Sequence, residues 1–107
     1  MEESKMTINK NQTADKLVLA LEGRLDTTTA PKLEAEILLI GDDVQQLELD
    51  FHQLDYLSSA GLRVILAAKK KMAPPRGMII TGVNETIMEV FDITGFSDIL
   101  VIKGDGQ

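Results

Sequence analysis

Residues 46–72 read QLELDFHQLDYLSSAGLRVILAAKKKM, and one change of period inside that stretch decides the fold class. Leu47, Leu49 and Phe51 alternate with Gln46, Glu48 and Asp50, the period of two expected of a strand. After Ser58, the residues Leu62, Ile65, Leu66, Lys69 and Met72 mark a helix that the Pro74-Pro75 pair terminates. Residues 52–57 between the two read as a short loop.

Upstream, residues 6–10 alternate apolar and polar as a half-exposed strand does, and residues 11–15 read as a turn. Residues 16–22 form a nearly continuous apolar run ended by Gly23, the pattern of a strand covered on both faces. Thr27-Thr28-Thr29-Ala30-Pro31 carries a helix start, with a threonine able to accept a backbone N–H and proline near the first helical position. Leu33, Ile37 and Ile40, joined by Ala30 and Leu38, then keep helical spacing as far as Gly41. Downstream, residues 77–82 read as a short strand. Asn84 is a good N-cap for a third helix using Ile87, Met88, Val90 and Phe91, which Gly95 ends. Residues 99–102 form a last apolar strand before a polar tail. The order β-β-α-β-α-β-α-β predicts an α/β domain whose later strands are parallel and joined by right-handed crossovers.

Composition narrows the function classes. The 107 residues suit one domain, 1–107, with short polar tails at about 1–5 and 103–107. Lys and Arg number 11 against 17 Asp and Glu, a formal charge of −6, which argues against a general nucleic-acid binder and favours a protein partner with a basic surface. There is no cysteine, hence no disulfide, no thiolate metal site and no cysteine nucleophile. The N-terminus lacks a signal-peptide apolar region, and no apolar run approaches the ~20 residues of a membrane span, so a cytoplasmic protein is expected. Tyr56, Phe51, Phe91 and Phe96 are the only aromatics, which predicts an aliphatic core with few stacking platforms.

The adjacent serines at the second helix start admit two readings. In one, Ser58 is the N-cap that accepts an orphan N–H and Ser59 is a neutral first-turn residue. In the other, Ser58 caps while Ser59 presents its hydroxyl at the positive helix end, where a phosphate is tolerated. A phosphate there would change the domain's own stability by only ~0.3–1 kcal/mol, favourably. The same charge set against like charge or a desolvated surface in a partner interface costs far more.

The segment Leu57-Ser58-Ser59-Ala60-Gly61-Leu62-Arg63, preceded by Leu21-Glu22-Gly23-Arg24-Leu25-Asp26 and followed by Ile93-Thr94-Gly95-Phe96, resembles the STAS domains, specifically the bacterial anti-sigma factor antagonists. The resemblance covers nearly the whole chain, and the order and spacing of the motifs carry it. It implies a mixed central sheet flanked by helices and a phosphorylation-controlled partner switch, not an enzyme. An anti-sigma factor with serine kinase activity would modify a serine at the second helix start, a serine phosphatase would reverse it, and the unmodified form would bind the anti-sigma factor and free the sigma factor. The serine directly after the family's usual Asp corresponds to Ser59. Here Ser58 stands at the Asp position, which keeps a cap but removes a charge, so Ser58 stays open as an alternative target. The resemblance also places Asp26, Ser58, Ser59, Gly61 and Arg63 at the partner surface. For Asp26 the alternative is a turn residue serving Thr27–Thr29, and for Gly61 a close contact within the fold. The missing Asp also leaves open a STAS scaffold subunit of a signalling or transport complex without phosphoryl control.

Other constellations are weaker. A serine hydrolase would need the sole histidine, His52, beside Ser59, and Ser58-Ser59-Ala60-Gly61 does not fit the G-x-S-x-G elbow. Asp50, His52 and Asp55 match no metal-ligand spacing, and no glycine-rich phosphate cradle occurs, so no metal and no cofactor is assigned. Lys69-Lys70-Lys71 with Arg76 reads as a solvated helix end.

Overall fold

The computed structural model describes residues 5–103. In chain order the elements are β1 (Met6–Thr13), β2 (Lys16–Leu25), α1 (Ala30–Leu38), β3 (Gln46–Leu57), α2 (Ser59–Lys71), β4 (Gly77–Thr81), α3 (Glu85–Thr94), a short 3-10 turn over Phe96–Asp98 and β5 (Ile102–Lys103). The sheet is mixed, in the order β1-β2-β3-β4-β5. β1 and β2 form an antiparallel hairpin, and the remaining pairs are parallel. Because β2 to β5 advance in one direction across the sheet, right-handed crossovers stack all three helices on one face.

Burial follows from that layering. Leu17 and Leu19 on β2 lie level with Leu47 and Leu49 on β3 and with Met78 and Ile80 on β4, and all six are buried. Leu33 and Ile37 of α1, Ile65 and Ala68 of α2, and Ile87 and Phe91 of α3 close the same core. Full burial of a Leu, Ile or Phe side chain contributes roughly 1.5–3 kcal/mol. The opposite face stays half-exposed: Val18 and Ala20 are only partly covered, and Glu48 there receives Lys16 Nζ at 3.1 Å and the Thr81 hydroxyl at 2.9 Å. The apolar run of residues 16–22 is therefore covered on one face, not two.

Other boundaries also move. Gly23 does not stop β2. It sits inside the strand at φ +107°, where a Cβ would lie 2.4 Å from the Lys5 carbonyl oxygen, so no larger residue fits without displacing backbone. The β2–β3 register shifts between Ala20 and Glu22 and again between Gly23 and Arg24. These shifts let β3 run on through residues 52–57, where the expectation was a loop, with burial now falling on Phe51, Leu54 and Leu57. The expected turn at residues 11–15 tightens to Ala14 and Asp15, Ala14 adopting φ 54°.

Helix α1 ends at Leu38 rather than Gly41. Leu38 is 71% exposed, and Ile40 is buried from beyond the helix end. Lys71 Nζ donates to the Leu38 carbonyl at 3.2 Å and Arg76 Nη2 to the Gly41 carbonyl at 2.6 Å. Two cations of the basic cluster thus hold the carbonyl end of α1, beyond simple solvation of a helix terminus. The last strand shrinks from residues 99–102 to Ile102–Lys103, because Phe96–Asp98 forms the 3-10 turn that Leu100 anchors into the core. The tail beyond residue 103 and residues 1–4 lie outside the described residues. No helix among the described residues is long and apolar enough to cross a membrane.

Candidate functional site

The first turn of α2 is built on the end of the parallel β2–β3 pair. The Ser58 N–H donates to the Leu25 carbonyl at 2.9 Å, tying the helix start to the last residue of β2. Ser58 is the N-cap, at φ −103° and ψ 175°, and its hydroxyl oxygen accepts the Gly61 N–H at 3.4 Å. Its carbonyl accepts the Leu62 N–H at 3.0 Å. Extended backbone with the side chain turned onto the helix start is the geometry the cap preference predicts.

With Ser58 occupied in this way, Ser59 is the first helical residue and is exposed. No acidic residue stands in the first turn, while Lys69, Lys70 and Lys71 occupy the last. The N-terminal end of α2 therefore carries its dipole uncompensated by a carboxylate of its own turn, a setting that favours added negative charge.

Gly61 is buried. A Cβ at position 61 would lie 2.6 Å from Leu57 Cδ1 and 2.7 Å from Leu25 Cγ. Its surroundings support the close contact within the fold: the missing side chain lets α2 sit down on the β2–β3 end. Arg63, by contrast, is exposed one turn beyond Ser59.

Asp26 is 9% exposed and organises the loop between β2 and α1. Its Oδ1 accepts the Thr28 N–H at 3.0 Å, the Thr28 hydroxyl at 2.8 Å and the Thr29 N–H at 3.2 Å. The Thr29 hydroxyl accepts the Asp26 N–H at 2.9 Å and donates to the Arg24 carbonyl at 2.7 Å, so Thr29 heads α1 without its side chain capping the helix. The turn-residue alternative for Asp26 is thereby the one its bonds support.

Arg24 and Tyr56 were not singled out by the sequence. They pair across β2 and β3, with the Arg24 guanidinium 4.0 Å from the Tyr56 ring centroid and Arg24 Nε 3.7 Å from Asp26 Oδ2. No sequence signal links two positions so far apart, because the two register shifts bring them level.

Beside this turn, α1 and α2 leave an open groove of about 490 Å³, lined by Thr27, Ala30 and Glu34 on one side and Ala60, Arg63 and Lys70 on the other. The structure therefore brings Ser59, Arg63 and the loop after Asp26 to one end of the molecule. His52 lies on β3 with its ring beside Gly82 and its Nδ1 2.5 Å from Asp50 Oδ1. Among the described residues no group of three potential metal ligands is gathered.

The sequence model of the STAS domain matches residues 6–105. The chain is 29% identical over 97 residues to the anti-sigma-B factor antagonist of Listeria monocytogenes, covering 88% of this chain and 84% of that protein. An anti-sigma factor antagonist from Mycobacterium paratuberculosis superposes with a TM-score of 0.83 at 22% identity, over 92% of this chain and 85% of that one. The Bacillus cell fate determinant SpoIIAA in its phosphorylated form superposes with a TM-score of 0.74 at 19% identity, over 94% and 93%. With the mixed sheet, the helix order and the serine-capped second helix all in place, this chain belongs to the STAS domain family.

Proposed function

We propose that the protein is an anti-sigma factor antagonist, a non-enzymatic regulator whose partner contact is switched at Ser59. In the unmodified state the end of the domain formed by the first turn of α2 and the β2–α1 loop binds an anti-sigma factor with serine kinase activity, and the sigma factor is released. Phosphorylation of Ser59 ends that binding, and a serine phosphatase restores it. The antagonist function named for the Listeria relative supports the reading, as does the existence of a phosphorylated SpoIIAA with the same fold.

The observation that carries the choice of residue is the division of labour between the serines. The Ser58 hydroxyl is turned onto the helix and engaged with the Gly61 N–H, whereas Ser59 is exposed at the first helical position. A phosphate on Ser59 adds about −1.5 to −2 charges at the positive end of α2, which the helix tolerates. The partner would meet the same charge at a desolvated surface. Repulsion of several kcal/mol there corresponds to a loss of affinity of several orders of magnitude, since each ~1.4 kcal/mol is tenfold.

The test is to incubate the protein with its cognate kinase and ATP and to map the phosphate by mass spectrometry. The reading expects a single modified residue, Ser59, and no incorporation into a Ser59→Ala variant. Phosphate on Ser58 alone would move the switch to the neighbouring residue, and absence of phosphate would favour a STAS scaffold without phosphoryl control.

A further inference from the structure

We propose that Arg63 is the intramolecular receptor for a phosphate on Ser59, so that modification inverts the charge presented by the N-terminal half of α2. The proposal rests on Ser59 as the modified residue and concerns what the phosphate does once it is there. Ser59 and Arg63 stand four positions apart in α2, both exposed, and side chains at that spacing lie over one another on a helix surface. The orientation is the favourable one, with the anionic member on the N-terminal side of the cation.

Arg63 is also available. It forms no ion pair among the described residues: the first turn of α2 contains no carboxylate, and Glu34, on the α1 side of the same groove, is not paired with it. The other arginine at this end, Arg24, is already engaged by the Tyr56 ring and the Asp26 carboxylate. A guanidinium matches phosphate oxygens with paired N–H donors, which makes the pair stronger than an ordinary surface contact between lysine and carboxylate.

Two consequences follow for the surface. Before modification the N-terminal half of α2, residues 59–65, carries one charge, that of Arg63. Afterwards, the phosphate and Arg63 together carry about −0.5 to −1. Arg63 also lines the groove between α1 and α2, so drawing its guanidinium toward residue 59 withdraws a cation from that rim while a negative group appears at its mouth. A partner group that reads the arginine loses it in the same event that introduces repulsion.

The experiment installs phosphoserine at position 59 during synthesis, which separates this proposal from the question of whether a kinase acts there. Arginine Nε–H resonances are recorded by proton–nitrogen NMR for the unmodified and phosphoserine forms, with Arg63→Gln and Arg24→Gln as assignment and control variants. The Arg63 resonance should move downfield on phosphorylation while that of Arg24 stays in place. A double-mutant cycle in urea should show the phosphate and Arg63 coupled by about threefold or more in the unfolding equilibrium constant. An Arg63 resonance indifferent to the phosphate, or a response confined to Arg24, overturns the proposal. If the Arg63 response is seen but mass spectrometry finds no kinase-dependent phosphate on Ser59, the pairing stands and the switch reading fails.

Discussion

The Ser58 N–H and the Leu25 carbonyl, 2.9 Å apart, join the start of α2 to the end of β2. This bond helps to hold the helix start beside the β2–α1 loop, and the side chains around it separate the residues that support the turn from those that are exposed. Leu25 and Leu57 fill the space below Gly61, Asp26 ties the loop, and Ser59 and Arg63 face outward.

Gly61→Ala places a Cβ 2.6 Å from Leu57 Cδ1 and 2.7 Å from Leu25 Cγ, so α2 or both leucines must move. Overpacking of this kind costs about 1–3 kcal/mol, which outweighs the gain of up to ~1 kcal/mol from replacing glycine in a helix. A lower urea midpoint with an unchanged m-value is the expected result.

Removing the cap and replacing it should have opposite signs. Ser58→Ala loses the acceptor for the Gly61 N–H and should destabilise by about 0.5–2 kcal/mol. Ser58→Asp keeps an acceptor and adds negative charge at the helix N-terminus, worth about 0.3–1 kcal/mol in its favour. Thermal unfolding of the two variants against wild type at low ionic strength measures both effects.

Asp26→Ala leaves the Thr28 and Thr29 N–H groups and the Thr28 hydroxyl without their acceptor. Hydrogen bonds to a charged group contribute about 1.5–3 kcal/mol, so the isolated domain should lose stability on that scale with no partner present. Denaturant unfolding of the purified variant checks it, and an unchanged midpoint would remove the loop-organising role.

The end of α1 supplies a contrast within three residues. Leu38 is 71% exposed and Ile40 is 7% exposed. Leu38→Ser should change stability by no more than about 0.5 kcal/mol, whereas Ile40→Ala should cost about 2–5 kcal/mol. Paired urea titrations read the difference directly.

These boundaries show where the sequence was legible. The step from period two to helical spacing across residues 46–72 located β3 and α2, and Ser58, Asn84 and Gly95 marked helix ends because cap chemistry is local. Gly23 was misread as a stop because its reason lies outside its neighbourhood, in the approach of the Lys5 carbonyl. The same irregular pairing changed the burial spacing in β3 from two residues to three after Phe51, which gives residues 52–57 the look of a loop. Helical periodicity carried α1 past its end because Ile40 is buried from outside the helix. At the site, Ser58 as the cap and Ser59 as the first helical residue could be read from preference and position. The contact of Arg24 with Tyr56 could not, since it depends on a register that two shifts set.

In the proposed switch, charge at Ser59 governs partner binding while the fold tolerates it. Calorimetric titration of the cognate anti-sigma factor with wild type, Ser59→Ala and Ser59→Asp tests it most directly, with thermal unfolding of each variant as the control for folding. Ser59→Ala should bind like wild type and Ser59→Asp at least ~tenfold more weakly, a difference of ~1.4 kcal/mol, with Ser59→Asp unfolding no lower than wild type. A Ser59→Asp variant that binds as tightly as wild type would contradict it.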